Sequence, residues 1–252
     1  MAMVSWRSLD PGRVLGWLRG VRTPFDTPEI IARRKAQRRV PKTYLIETIE
    51  RGMRRQEIAL KLYGSGARQR ERKAFIVLGP PAAGKSRIIV EPLAAEHGAL
   101  VIDADKAKEF IPEYAGGAFA GAVHEESAEI AYERVLPQAM INGDNIILAV
   151  IGKNAETVRT YKDVLRAYGY EVHLRLLHLP PLEAARRTVE RWRETGRFVD
   201  PLYVLKDVGS QPKRVFDTVK VEEGWASYEA WSNEVPKGQP PQLLERSVFG
   251  RS

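Results

Sequence analysis

Residues Gly79-Pro80-Pro81-Ala82-Ala83-Gly84-Lys85-Ser86, with Arg87 directly after, fit the pattern G-x-x-x-x-G-K-[ST]. A turn of this kind points successive backbone N–H groups inward at phosphate oxygens, and the following helix start adds partial positive charge. The lysine, Lys85, then meets the β- and γ-phosphates of a nucleotide, and the hydroxyl of Ser86 suits Mg²⁺. A second group of chemical interest is Val101-Ile102-Asp103-Ala104-Asp105, two carboxylates two residues apart at the end of an apolar run. Beside a nucleotide, one carboxylate can order the metal and its waters, and the other can take a proton from an attacking hydroxyl. The plainer role for Asp105 is to cap the helix that follows, a common job for Asp.

These residues need rigid elements to hold them. Ala74 to Leu78 is apolar and reads as a buried strand entering the turn, and Arg87 to His97 is helix-compatible with Pro92 as a kink. Further strands are expected at Ala99–Ile102, Asn145–Ile151 and Glu171–Leu179. Helices are expected at Ala104–Ile111, Val123–Ile141, Ala155–Ala167 and Leu182–Arg193, with Pro137 kinking or splitting the second of them. Strands alternating with helices predict a parallel sheet covered on both faces, with ligands at the carboxyl edge. Upstream, Pro28–Arg39 and Pro41–Leu62 read as helices, the second presenting Leu45, Ile49, Met53 and Leu60 as its apolar face and stopping at Gly64-Ser65-Gly66. Residues 1–27 are rich in turn formers. Downstream, Asp200–Val208 and Gln211–Val219 can be helical. Trp225, Tyr228 and Trp231, spaced by three, read as a packing stripe, and the chain from Pro236 onward reads as a loose tail.

The chain has 252 residues and a net charge of +8, unevenly spread. Residues 1–73 carry 18 Lys+Arg against 7 Asp+Glu, whereas the remainder carries 22 against 25. The basic excess therefore belongs to the N-terminal segment, which could dock nucleic acid, an acidic protein or a membrane surface, or form a solvated helical face. There is no cysteine, which excludes disulfides, thiolate metal sites and cysteine nucleophiles. No run approaches the ~20 apolar residues of a membrane helix, and the N-terminus lacks the apolar core of a signal peptide, so the expected location is the cytoplasm.

GPPAAGKS, then VIDADKAKEFIPEY, then VHEESAEIAYERVL, and downstream EAARRTVERWRETGRFV, together resemble the zeta toxin family of P-loop kinases over roughly Phe75 to Val199. The resemblance implies ATP-dependent phosphorylation of a sugar hydroxyl with Mg²⁺, typically the 3′-hydroxyl of the aminosugar in UDP-N-acetylglucosamine. It also implies the toxin role in a toxin–antitoxin pair, in which helices near the start of the chain can meet the antitoxin. By position, Asp105 matches the family's catalytic base, Asp103 the carboxylate near Mg²⁺, and Glu133 an acidic residue holding the substrate. Arg191 and Arg197 match arginines that face the phosphates. His124 and Glu125, at the start of the long helix, either serve its N-terminus or contact substrate hydroxyls. The apolar Ala149-Val150-Ile151 departs from the family's polar pattern where the substrate cleft should be lined.

The expected architecture is therefore a P-loop kinase-like three-layer α/β/α fold. It divides into a basic helical segment over 1–73, a kinase domain over 74–235 and a tail over 236–252. The expected partners are a nucleotide-sugar substrate and an antitoxin, rather than nucleic acid. Two other readings stay open. One is a polynucleotide 5′-hydroxyl kinase. The other is a nucleotide-dependent switch, although the chain contains no N-K-x-D guanine motif.

Overall fold

A computed structural model describes residues 23–64, 68–236 and 238–249. Most of the turn-rich start of the chain and the expected stop at Ser65-Gly66 lie outside these residues. Six strands form one sheet in the order β2-β3-β1-β4-β5-β6. The strands are β1 Lys73–Leu78, β2 Leu100–Ile102, β3 Ile146–Ala149, β4 Glu171–His178, β5 Ser227–Ser232 and β6 Gln242–Val248. β1 lies between β3 and β4, pairing Val77 with Ala149 and Leu78 with Leu176. The first five strands are parallel and β6 is antiparallel to β5.

β1 is buried on both faces, so it reads as an unbroken apolar run. Its side chains alternate. Ala74, Ile76 and Leu78 enter one core, and Phe75 and Val77 enter the other. The first core is covered by α2 (Ile49–Gly64), α4 (Ala104–Lys108), α5 (124–142), α6 (Ala155–Ala167) and α9 (Gln211–Val219). The second is covered by α1 (Pro28–Arg39), α3 (86–97), α7 (Pro181–Thr195) and α8 (Tyr203–Val208). The three-layer α/β/α architecture expected from the sequence is what the structure shows.

Neither Pro92 nor Pro137 breaks its helix. Each lies just beyond a wide π-helical stretch, Ser86–Val90 and Glu129–Val135. There the N–H of Glu91 reaches Ser86 O and the N–H of Leu136 reaches Ala131 O, each five residues back. A proline ring collides with the carbonyl four residues earlier in a regular helix, and widening the turn relieves that collision.

Three expectations need correction. The stretch read as a tail beyond Pro236 contains β6, which closes the sheet edge beside β5. Its sequence, QLLERSV, has two exposed leucines and no clean alternation, so edge pairing rather than burial defines it. Trp225, Tyr228 and Trp231 do pack, but not as one stripe. Tyr228 and Trp231 lie on opposite faces of β5, against the first and second cores.

The third correction concerns α2. Its inward face is not the apolar row. Ile49, Met53 and Leu60 are 86%, 61% and 61% exposed, and Arg51 and Arg55 are buried instead. The cause is Glu126 on α5, whose side chain is 1% exposed. Arg51 donates to it from Nε and Nη2 at 2.7 and 2.6 Å, and Arg55 from Nε at 2.9 Å. Arg51 also grips Glu113, and Arg55 also meets Glu129 at 3.2 Å. A buried carboxylate without counter-charges costs several kcal/mol, so the helix turns its arginines inward. Part of the basic charge of the N-terminal segment is neutralised in the same way. Arg34 pairs with Asp200, Lys42 with Glu125, and Arg68 and Arg70 with Asp144.

Glu126→Gln is expected to destabilise the fold by about 3 kcal/mol, since two buried guanidiniums lose the buried carboxylate they share. Burial alone would raise the pKa of Glu126, but hydrogen bonds from Arg51, Thr43 and Arg55 outweigh it and pull the pKa to about 2. The folded pKa lies below the unfolded one, so this stability is full above pH ~4.5 and is lost as pH falls toward 2. Thermal unfolding of both proteins between pH 3 and 7 checks this. The gap between them should narrow in acid.

Candidate active site

The carboxyl ends of β1, β2, β3 and β4 open into one cleft of about 2190 Å³. Single small-ligand pockets occupy ~300–1,000 Å³, so this cleft has room for two ligands side by side. Residues 80–87 line it, together with Asp103, Asp105, Arg191 and Arg197.

The turn after β1 has the backbone geometry of a phosphate cradle. Gly79 has φ +154°, and a Cβ there would stand 2.6 Å from the carbonyl oxygen of Leu177 on β4. Gly84 has φ +90°, and a Cβ would press on Ile88 and Asn233 at 3.1 and 3.2 Å. Only glycine fits both positions. Ala82 also has positive φ, at 60°, which a nearby brace helps to hold. The brace is Asn233, just past β5, whose buried amide donates to Ala83 O at 2.8 Å. Nothing in the sequence links Asn233 to the turn, because the two meet only when β5 joins the sheet.

Lys85 curls back over the turn and donates to Gly79 O at 2.6 Å and Pro80 O at 3.2 Å. Burial lowers its pKa to about 8, with Arg191 and Arg197 pushing the same way and Asp103 and Asp105 pushing back. Ser86 and Arg87 follow at the exposed start of α3.

Of the two aspartates, Asp103 is the helix cap. Its Oδ1 accepts the backbone N–H of Asp105 at 2.8 Å at the start of α4. Asp105 is thereby released to the cleft. It meets Lys108 Nζ at 2.8 Å through Oδ1 and ion-pairs with Arg197 through Oδ2. Burial would raise Asp105, but Lys108 and Arg197 together hold it well below the usual carboxylate range. Asp103 moves the other way, raised by burial and by the neighbouring Asp105 charge.

Arg191 projects from α7, and Arg197 lies just beyond Gly196, the left-handed residue that ends that helix. Arg197 is pinned from both sides. The Phe198 N–H donates to Gly117 O, and a Cβ on Gly117 would come within 2.7 Å of the Arg197 Cα. The Nε atoms of Arg191 and Arg197 are buried without a hydrogen-bond partner. Two adjacent guanidiniums with idle donors fit an anion such as a phosphate.

Among the described residues, no group of three or more His, Asp or Glu side chains could hold a metal by itself. Ser86 and Asp103 line the same cleft and fit Mg²⁺, which takes one or two protein oxygens and completes its shell with phosphates and water.

His124 and Glu125, at the start of α5, also line the cleft, with Glu125 held by Lys42 at 3.1 Å. Burial, seconded by Lys108, lowers the His124 pKa. Glu133 does not join them. It is exposed and lies outside the cleft. On α5 the cleft-facing row runs Glu125, Ala128, Tyr132, and position 133 lies one step further around the helix, off that row. Tyr132 and Tyr161, with ring centroids 5.8 Å apart, occupy the wall where an acidic side chain was expected. The apolar Ala149-Val150-Ile151 does line the cleft, followed by Gly152 and Lys153.

The zeta toxin family model matches residues 61–226. Among solved structures, the chain is similar to one described as the PezAT chromosomal toxin–antitoxin system of the human pathogen Streptococcus pneumoniae. That match has 15% identity and a TM-score of 0.60, covering 80% of this chain and 82% of that one. It is also similar to the AvrRxo1-ORF1:-ORF2 complex with ATP, with 18% identity and a TM-score of 0.55, covering 98% of this chain and 74% of that one. A search of curated proteins found no match. The phosphate-cradling turn, the aspartate pair and the two arginines fall within the matched residues, and the chain belongs to the zeta toxin family of P-loop kinase-like toxins.

Proposed function

We propose that the protein is an ATP-dependent phosphotransferase that phosphorylates a hydroxyl of a nucleotide sugar, UDP-N-acetylglucosamine or a related UDP-sugar, as the toxin of a toxin–antitoxin pair. The observation that carries the reading is Asp105, a carboxylate freed by the Asp103 cap and turned into the cleft that holds the glycine-lined turn and two arginines with idle donors. The similar complex that contains ATP supports the donor, and the similar toxin–antitoxin system supports the partner.

In this reading residues 79–87 cradle the phosphates of ATP, and Lys85 turns from Gly79 O and Pro80 O toward the β- and γ-phosphates. Ser86 and Asp103 would hold Mg²⁺, which supplies charge neutralisation on the phosphates when bound. Asp105 accepts the proton of the acceptor hydroxyl as its oxygen bonds to the γ-phosphorus and the bond to ADP breaks. Arg191 and Arg197 neutralise charge on the moving phosphoryl group, where preorganised cations lower the barrier most. His124 and Glu125 face the acceptor half of the cleft, beside Tyr132 and Tyr161, whose rings suit the flat base of a nucleotide sugar.

Incubation with Mg²⁺·ATP and a panel of nucleotide sugars, nucleosides and oligonucleotides, read by mass spectrometry, tests this. Gain of one phosphate on a UDP-sugar is the expected result. Exclusive phosphorylation of an oligonucleotide 5′ end would replace the acceptor class. ATP turnover that ignores every acceptor would remove the transferase reading altogether.

A further inference from the structure

Lys108 follows the aspartate pair within VIDADKAKEFIPEY, and it is buried in the cleft wall. It is 5% exposed, and its ammonium meets Asp105 Oδ1 at 2.8 Å. A buried lysine charge is retained only where a partner offsets its desolvation, and Asp105 is that partner here. The other oxygen of Asp105, Oδ2, is held by Arg197. Arg197 thus faces a conflict. Its guanidinium lines the cleft, where a phosphate would engage it, while its Nη2 is committed to Asp105. A guanidinium turned onto a phosphoryl group gives up part or all of its grip on the carboxylate.

We propose that Lys108 is the positioning residue that keeps Asp105 aimed at the acceptor once Arg197 turns to the phosphates. Lys108 suits this task by location. It is on the last turn of α4, three residues beyond Asp105, where side chains on a helix face one another. Its side chain is almost wholly buried in the cleft wall, so it does not follow the nucleotide. The ion pair with Arg197 is then the resting arrangement of the site, and the pair with Lys108 persists through the reaction. This rests on the phosphotransferase reading of the site.

Two measurements test it on the full-length protein. A crystal structure with Mg²⁺ and a non-hydrolysable ATP analogue should show Arg197 on the terminal phosphate and Lys108 still within hydrogen-bond distance of Asp105. Arg197 unmoved on Asp105, or Lys108 turned away from it, overturns the proposal whatever the activity. In kinetics, Lys108→Met should lower kcat by about 10²-fold, within the range a misaligned base loses, with KM for ATP and acceptor changed by no more than about threefold. Lys108→Arg should restore part of the loss. In an Asp105→Asn background, Lys108→Met should cost little more, because there is no carboxylate left to aim. A Lys108→Met loss that is fully additive with Asp105→Asn, or that follows a fall in Tm and is not rescued by arginine, assigns Lys108 to structure alone. If the analogue binds elsewhere than the Gly79–Ser86 turn, the phosphotransferase reading fails. If it binds there and only the Lys108 results fail, that reading stands.

Discussion

Lys85→Met is expected to reduce phosphoryl transfer by ~10²–10³-fold, the scale seen when one preorganised donor to developing charge is removed. The fold should not suffer. Burial holds the pKa of Lys85 at about 8, against 10.5 in the unfolded chain. A cation whose pKa is lowered by folding opposes stability while it is charged in both states. That opposition is full below pH 8 and disappears as pH rises toward 10.5. Methionine keeps the stem and removes the charge. The variant should therefore match or exceed the wild-type Tm at pH 7, with its advantage shrinking toward pH 10. Radiolabel transfer and thermal melts across pH 7–10 check both halves. Wild-type transfer in the variant would mean that the phosphates do not meet this lysine.

Asp105→Asn should lower turnover by ~10²–10⁴-fold while ATP still binds, since in the proposed mechanism Asp105 takes the acceptor's proton and does not hold the phosphates. Lys108 and Arg197 keep this carboxylate well below the usual range. It is ionised at every pH from 5 to 9, so wild-type turnover should show no acidic limb from Asp105 in that window. Calorimetric ATP titration and single-turnover transfer separate the two effects. Full turnover with asparagine would move proton acceptance to another group. The variant also removes the one carboxylate that Lys108 and Arg197 share, so a lower Tm is expected alongside.

The glycine-bearing turn, the strand before it and the helix after it are all legible in the sequence. Each depends on local chemistry: a buried apolar run, glycines at positions a Cβ cannot occupy, a lysine and a serine at fixed offsets. The aspartate pair is legible for the same reason, although which of the two caps α4 is not. That choice depends on backbone direction at the end of β2, where Asp103 reaches the N–H of Asp105. The strand–helix alternation gives the parallel sheet. It does not give β6, because an edge strand of mixed polarity has no burial pattern to announce it.

The orientation of α2 was decided by tertiary structure against its own sequence pattern. An apolar row at helical spacing ordinarily marks the buried face, yet Glu126, far along the chain, draws Arg51 and Arg55 inward and turns Ile49, Met53 and Leu60 outward. The cost of an unpaired buried charge exceeds the gain from burying a few methyl-bearing side chains. Glu133 lies outside the cleft for a simpler reason: one step around the helix separates it from Tyr132, which takes the cleft face instead. Asn233 bracing the turn and Arg197 meeting Asp105 join residues brought together only by β5 and by the turn after α7. The sequence alone determines the phosphate cradle and the parallel sheet, because both follow from contacts within a few residues or from strand periodicity. The partners of each charge are decided only by the fold, because burial and pairing depend on what the rest of the chain places alongside.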